Sequence, residues 1–307
     1  MIQYYHSSGK SPKATKIADL QEGSWVRVER PTPDEVASII TQFSLDPDIV
    51  TDALDPHEVP RVETVGDTLY FMSRLPDTDD DFNDFTTPIL FIIKPKYIVT
   101  LSQESLSRLW QPFIDKTEIA TTMQSRTMLQ MLESIVFEYQ SKVATINRQM
   151  RAATSDITRL RPGDISIFVE YERKLNDYLD ALFPTNDIIE RLLSGHLIKL
   201  FEDDRDLVED LVIEFQQVIT RSKSLLRTIT NVRDSYRAVM DTRLNETIRL
   251  LTVITLALTI PTMLAGLYGM NVALPGDENS PAMFWIIALI SLTTSGALSF
   301  YFLRKRA

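Results

Sequence analysis

The chain lacks cysteine and has only three histidines among its 307 residues, His6, His57 and His196. Disulfide bonds are therefore excluded, and the histidines are too far apart in the sequence to form the ligand pattern of a zinc site. The first ten residues, MIQYYHSSGK, contain no apolar stretch of the kind that a secretory signal peptide needs. We therefore expect the long N-terminal part to stay in the cytosol.

Sequence motifs of common enzymes are also missing. The chain has no phosphate-binding loop, no nucleophile elbow, no HExxH zinc motif and no dinucleotide fingerprint. Asp55-Pro56-His57-Glu58 indicates a turn rather than a site. A net charge of −10 argues against a nucleic-acid surface and permits attraction of cations. The sequence predicts a protein that is not an enzyme.

Lysine and arginine are absent from residues 250–303, and only two carboxylates occur there, Asp277 and Glu278. Residues 250–268 and 283–303 are uncharged, and each run has about the 20 residues that cross a bilayer as a helix. Pro261 in the first run is tolerated in a membrane helix, because a neighbouring helix or a threonine hydroxyl can bind the carbonyl that proline leaves free. Two membrane-spanning helices are therefore predicted.

The basic tail Arg304-Lys305-Arg306 places the C-terminus in the cytoplasm by the positive-inside rule. Two spans put both chain ends on the same side of the membrane, so the connecting loop, residues 272–282, is expected outside the cell. We expect a multi-pass protein of the inner (plasma) membrane with both termini cytoplasmic.

Residues 1–120 have the pattern of a cytosolic α/β domain. A strand is predicted in WVRVERP (25–31), followed by a helix that begins at Pro33-Asp34-Glu35. Two hairpins are predicted around Gly66-Asp67 and Pro95-Lys96, where short apolar runs flank a turn. An acidic loop interrupts this domain and contains Asp77, Asp79, Asp80, Asp81 and Asp84.

Helical periodicity replaces the strand pattern after Gln103. Breaks are expected at Arg161-Pro162-Gly163-Asp164 and at Pro184. No further glycine or proline follows from residue 197 until Pro261, which predicts one helix of about 60 to 70 residues, on the order of 100 Å long. A helix of this length needs other helices packed along its side, so we predict a homo-oligomer.

The predicted organisation of the rest of the chain follows from these segments. After the α/β domain we expect a cytosolic helical region at 121–196, a stalk helix at 197–249 and a pore-lining transmembrane helix with its following motif at 250–271. We then expect the external loop at 272–282, a second transmembrane helix at 283–303 and a basic cytosolic tail at 304–307.

Polar and small residues recur on one face of the long helix. Steps of three and four residues place them in a single stripe: Asn245, Ile248, Thr252, Thr255, Thr259, Thr262, Gly266 and Gly269. Hydroxyl groups at membrane depth must be satisfied or wet, so the stripe should face protein or water. Each threonine could instead bond the carbonyl four residues earlier or join two helices, and this alternative stays open. With an amide at each mouth and hydroxyls between, the stripe suits a hydrated cation path.

The run Tyr268-Gly269-Met270-Asn271 directly follows the first predicted span, and it resembles the signature of the CorA family of magnesium channels. Asn245-Glu246, Leu251-Thr252, Pro261 and Gly266 are also similar to the first membrane helix of that family. The resemblance implies a homopentamer with a cytosolic funnel, a long stalk helix that continues into the pore, and Mg²⁺ that is both transported and regulatory.

The resemblance also implies roles for particular residues. Gly269, Met270 and Asn271 would form the outer selectivity ring, and Asn245 would stand at the cytosolic mouth, with Ile248 and Leu251 as an apolar constriction. The loop differs from the Met-Pro-Glu-Leu type of the family, so Asp277 and Glu278 would be the carboxylates that concentrate ions. Pro261 lies one residue nearer the motif than in the family. An apolar constriction that the family has near this proline therefore falls on or beside Thr259, which makes the upper gate of the pore wetter here.

Regulatory cation sites in that family join the stalk helix to an acidic residue of the next subunit. The candidates here are Asp203, Asp206 and Asp210, against the acidic loop with Asp77, Asp79, Asp80, Asp81 and Asp84. A solvated helix face is the alternative, and the sequence does not select one pair.

Two other functions compete with magnesium uptake. ZntB-type zinc transporters share the resemblance, but they usually vary the middle of the Gly-Met-Asn motif, which is intact here; Co²⁺ and Ni²⁺ also remain candidate ions. The second alternative is a membrane-anchored sensor without transport, which would not need the threonine stripe. The interpretation favoured by the sequence is a Mg²⁺ channel driven by the membrane potential and gated by cytosolic divalent cations.

Overall fold

The computed structural model describes residues 1–8, 11–76, 86–116, 118–154, 162–195, 197, 202–270 and 281–304. The chain forms two compact units, Met1–Val232 and Arg233–Ala307.

A seven-stranded sheet forms the centre of the first unit. Its strands are β1 (Ile2–Ser8), β2 (Ser11–Ile17), β3 (Ser24–Glu29), β4 (Arg61–Val65), β5 (Thr68–Pro76), β6 (Thr86–Lys94) and β7 (Tyr97–Ser102), in the spatial order β2-β1-β3-β7-β6-β5-β4. Neighbouring strands are antiparallel except β3 and β7, which run parallel. The predicted strand at 25–31 corresponds to β3.

Both predicted hairpins are present. Val65 pairs with Thr68 across Gly66-Asp67, and Gly66 has a φ of 63°, which is the left-handed conformation that glycine adopts without strain. Lys94 pairs with Tyr97 across the second turn. The first hairpin of the chain, β1 and β2, was not predicted from the sequence, because SPKATKI has too few apolar residues for a strand pattern.

Helices cover both faces of the sheet. They are α1 (Pro33–Phe43), α2 (Pro47–Asp52), α3 (Ser107–Lys116), α4 (Gln124–Ala153) and α5 (Pro162–Leu192). The start of α1 is fixed by a capping box, because the Glu35 amide donates to Thr32 Oγ1 (3.3 Å) and the Thr32 amide donates to Glu35 Oε2 (2.9 Å). The predicted start at Pro33-Asp34-Glu35 is confirmed.

The alternation of strand side chains produces two cores. Val26 and Val28 of β3 point toward α1 and α2, where Ile39 and Phe43 are buried. Trp25 points to the other face and meets Trp110 of α3 at a ring-centroid distance of 5.6 Å. The sheet therefore has a packed core on each of its faces.

The break predicted at Pro184 is wrong, because α5 continues through this residue to Leu192. Thr185 donates its hydroxyl to the Ala181 carbonyl at 2.8 Å, which braces the turn that holds the proline. Leu182 and Ile189 on either side are fully buried. Burial of these side chains offsets the cost of a proline inside a helix, about 3 kcal/mol.

The turn at Asp55-Pro56-His57-Glu58 is confirmed. The His57 amide donates to Asp55 Oδ1 at 2.9 Å, and the Glu58 amide donates to the Asp55 carbonyl at 3.1 Å.

The long helix predicted from the sequence is α6 (Glu202–Tyr268), with 67 residues, and it runs unbroken through Pro261. It is followed by α7 (Pro281–Arg304). Each of these two helices contains a stretch long and apolar enough to cross a membrane, and little of either stretch is buried inside the chain. The predicted fold of an α/β domain, a long helix and two apolar C-terminal helices is confirmed.

Candidate ion pathway

The polar stripe lies on the exposed side of α6. Every described member of the stripe is exposed in the single chain, and the apolar Ile248 and Leu251 at its start are 52% and 63% exposed. Val253 of α6 is buried instead, as are Ser291 and Ser295 of α7. Within the second unit, α6 therefore turns one face to α7 and leaves the stripe uncovered.

All four threonine hydroxyls of the stripe bond to their own helix. Thr252, Thr255, Thr259 and Thr262 each donate to the carbonyl four residues earlier, at 2.7 to 2.8 Å. The back-bonding considered as an alternative is therefore present. It uses only the hydroxyl hydrogen, so lone pairs of each oxygen remain available as acceptors along the exposed stripe. The stripe offers a row of oxygen acceptors without any charge.

Pro261 leaves the carbonyl of Ala257 without a helical donor, because proline has no N–H. The hydroxyl of Ser295 in α7 donates to this carbonyl at 2.7 Å. The neighbouring helix therefore satisfies the backbone at Pro261, as expected for a proline within a membrane helix. A second contact between the two helices joins the Arg249 guanidinium to the Phe302 carbonyl.

The helix α6 ends at the family-like motif. The Gly269 amide donates to the Ala265 carbonyl at 2.9 Å, and the Met270 amide donates to the Leu267 carbonyl at 3.3 Å. A Cβ atom on Gly269 would lie 3.2 Å from the Ala265 carbonyl oxygen, so any other residue here requires a shift of a few tenths of an ångström. Asn271 and the loop carboxylates Asp277 and Glu278 lie outside the described residues.

The acidic candidates divide into two groups. Asp206 and Asp210 are exposed on α6. The side chain of Asp203 lies outside the described part of the structure, as do Asp77, Asp79, Asp80, Asp81 and Asp84. Within the described residues, no group of three histidine, aspartate or glutamate side chains is close enough to hold a metal ion. The regulatory sites stay a prediction.

Asp210 belongs to an acidic surface that α6 shares with α4. The pKa of Glu214 is raised from its ordinary value, first by desolvation and then by the nearby charges of Glu133 and Asp210. These carboxylates repel one another, so this surface attracts cations and repels anions.

Asp204 was not among the predicted site residues. Its side chain is 3% exposed, and its Oδ1 lies 3.6 Å from Nη1 of Arg126 in α4. Its burial could not be predicted from the sequence, because it depends on the packing of α6 against α4.

The chain combines an α/β domain with two helices that each contain an apolar stretch, and the first of these, α6, also carries an uncharged row of oxygen acceptors. These features together define a two-span membrane transport protein. The family described as CorA-like Mg²⁺ transporter protein matches residues 21–306 of the chain. The chain therefore belongs to the CorA-like Mg²⁺ transporter family, and its function is divalent cation transport.

Individual proteins are also similar to this chain. The cobalt/magnesium transport protein CorA of Methanocaldococcus jannaschii is 20% identical over 86% of this chain and 84% of its own length. The complete structure of the CorA magnesium transporter from the same organism superposes with a TM-score of 0.84 at 18% identity, covering 100% of this chain and 98% of that chain. The cytoplasmic domain of ZntB from Vibrio parahaemolyticus matches with a TM-score of 0.65 at 11% identity, over 78% of this chain and 98% of that domain.

Proposed function

We propose that the protein is a Mg²⁺ uptake channel whose ion path is the polar stripe of α6. The observation that carries this proposal is the row of four threonine oxygens on the uncovered side of a helix that packs its other side against α7. Mg²⁺ gives up its water reluctantly, and neutral oxygens can accept hydrogen bonds from its hydration shell. A carboxylate inside the path would instead hold the ion directly.

One copy of the stripe cannot enclose a path, so the channel is a homo-oligomer. Several copies of α6 around a central axis would enclose the path between their stripes. Family resemblance supports five copies.

The proposed orientation places both termini in the cytoplasm of a cell with an inner (plasma) membrane. Basic residues at the C-terminal end support it, since Arg304 ends α7 and Lys305 and Arg306 follow. The external mouth would then be the ring of Gly269, Met270 and Asn271, in which the Asn271 carbonyl receives the hydrated ion. Asp277 and Glu278 would concentrate cations beside this ring.

The membrane potential would drive transport. A divalent cation that moves down the potential gains about 4 to 5 kcal/mol per 100 mV, twice the value for a single charge. No nucleotide-binding motif occurs in the sequence to couple another energy source. Cytosolic Mg²⁺ would close the channel by binding between subunits at the stalk carboxylates, which makes Mg²⁺ both cargo and regulator.

Flux into proteoliposomes tests the proposal. The purified full chain is reconstituted with a Mg²⁺ indicator inside, and an inside-negative potential is imposed with a K⁺ gradient and valinomycin. We expect Mg²⁺ influx that falls as the potential is reduced and vanishes when both potential and gradient are zero. Parallel assays with Co²⁺, Ni²⁺ and Zn²⁺ rank the ions. Flux of Zn²⁺ without Mg²⁺ would support zinc transport on the same fold, and absence of all flux would support a membrane-anchored sensor.

A further inference from the structure

Pro261 interrupts the hydrogen bonding of α6 in the middle of the polar stripe, between Thr259 and Thr262. The carbonyl of Ala257 is the one that loses its helical donor, and Ser295 of α7 replaces that donor at 2.7 Å. Ser295 is only 8% exposed, so water does not compete freely for this carbonyl. The helix is thus held at its weakest point by a side chain from another helix.

The contacts between α6 and α7 differ on the two sides of Pro261. On the side toward Arg249, the helices are joined by Ser295 and by the bond from Arg249 to the Phe302 carbonyl. On the side toward Tyr268, an apolar cleft of about 500 Å³ separates them, lined by Leu264, Tyr268, Phe284 and Ala288 among others. The last turns of α6, residues 262–268, therefore have room to move toward α7.

We infer that Ser295 is a positioning residue for the ion pathway. Its bond to Ala257 holds α6 in position at Pro261, and this keeps residues 262–268 in line with the rest of the stripe. Without the bond, the last turns of α6 swing into the cleft and carry Thr262 and Gly269 away from the path. This role rests on the proposed function of the stripe as the ion path.

A double-mutant experiment isolates the bond. Ser295→Ala removes the donor, whereas Pro261→Ala restores a backbone N–H at position 261 that can reach the Ala257 carbonyl. Single hydrogen bonds between membrane helices correspond to about threefold to fifteenfold in an equilibrium. We expect Ser295→Ala to lower Mg²⁺ influx by about that factor, and to have no effect when Pro261→Ala is also present. Ser295→Thr, which keeps the hydroxyl, should restore influx.

Thr294→Ala is the matched control, because the Thr294 hydroxyl donates to carbonyls of its own helix at Ile290 and Ser291. It removes one hydroxyl from the same turn of α7 and should leave influx unchanged. An equal loss in Thr294→Ala and Ser295→Ala would overturn the inference. So would a loss from Ser295→Ala that persists in full beside Pro261→Ala.

A spin label gives a second readout that does not depend on flux. The chain has no cysteine, so a single label can be placed at Leu267→Cys, beyond Pro261, or at Leu258→Cys, before it. Both side chains are exposed, at 44% and 65%. We expect Ser295→Ala to raise label mobility at position 267 and not at position 258. Equal mobility changes at both positions, or no change at either, would contradict the inferred role of Ser295. A mobility change confined to position 267 in a protein without any Mg²⁺ flux would contradict only the proposed channel.

Discussion

The hydroxyl of Thr259 donates to the carbonyl oxygen of Thr255 at 2.7 Å, and Thr255 in turn donates to Leu251 at 2.8 Å. Two successive members of the stripe therefore have their hydrogens directed into the helix and their oxygens at its surface. Valine has nearly the same shape as threonine and lacks the oxygen. Replacement of both residues should leave the helix intact and remove two acceptors from the path.

We expect the double variant Thr255→Val with Thr259→Val to lower Mg²⁺ influx by about eightfold or more, because two lost hydrogen bonds of about 0.6 kcal/mol each set a lower limit and dewetting adds to it. Thr293→Val in α7 is the control, since its hydroxyl also bonds to its own helix. Influx is measured in proteoliposomes. An equal loss in the control would show that the threonines act only through helix structure.

Asn271→Ala should abolish Mg²⁺ influx while the oligomer still forms. The reason is that the amide carbonyl at the external mouth can receive the hydration shell of the ion, and alanine has no such group. Influx and size-exclusion profiles of the purified variant check this. Wild-type influx would remove the basis for assigning the selectivity ring from the motif.

Gly269→Ala should lower influx for a steric reason. The added Cβ would lie 3.2 Å from the Ala265 carbonyl oxygen, so the end of α6 must shift by a few tenths of an ångström. Gly296→Ala in α7 is the control, because nothing lies within 4 Å of its added Cβ. A Gly269→Ala protein as active as the control would show that the helix end adjusts without consequence for the ring.

The sequence predicted the parts of the fold that depend on local pattern. The length of α6 followed from the absence of glycine and proline between residue 197 and Pro261, and the stripe followed from helical spacing. The break at Pro184 was wrong because buried neighbours outweighed a local preference. Neither the burial of Asp204 nor the bond from Ser295 to Ala257 could be predicted, since each depends on which helices pack together.

Glu214→Gln should stabilise the protein at neutral pH. The folded-state pKa of Glu214 is raised by desolvation and by Glu133 and Asp210, so the ionised form is less favourable in the folded chain than in the unfolded chain. This penalty is present above the folded pKa and disappears as the pH falls below the unfolded value near 4.5. Thermal unfolding of wild type and variant at pH 7 and pH 4 should therefore differ at pH 7 and converge at pH 4. An equal difference in melting temperature at both pH values would contradict the predicted destabilisation by ionised Glu214.

Joint replacement of Asp203, Asp206 and Asp210 by asparagine should weaken closure by cytosolic Mg²⁺. Divalent ions that bridge subunits stabilise the closed arrangement by mass action, and carboxylates brought together without the ion repel one another. Neutral side chains neither bind the ion nor require it. We therefore expect the triple variant to carry current at Mg²⁺ concentrations on the cytosolic face that close the wild type. Glu202→Gln, at the exposed start of the same helix, is the control for a change of surface charge alone. Closure of the triple variant at the wild-type Mg²⁺ concentration would mean that these carboxylates only solvate α6, and that any regulatory site lies elsewhere in the chain.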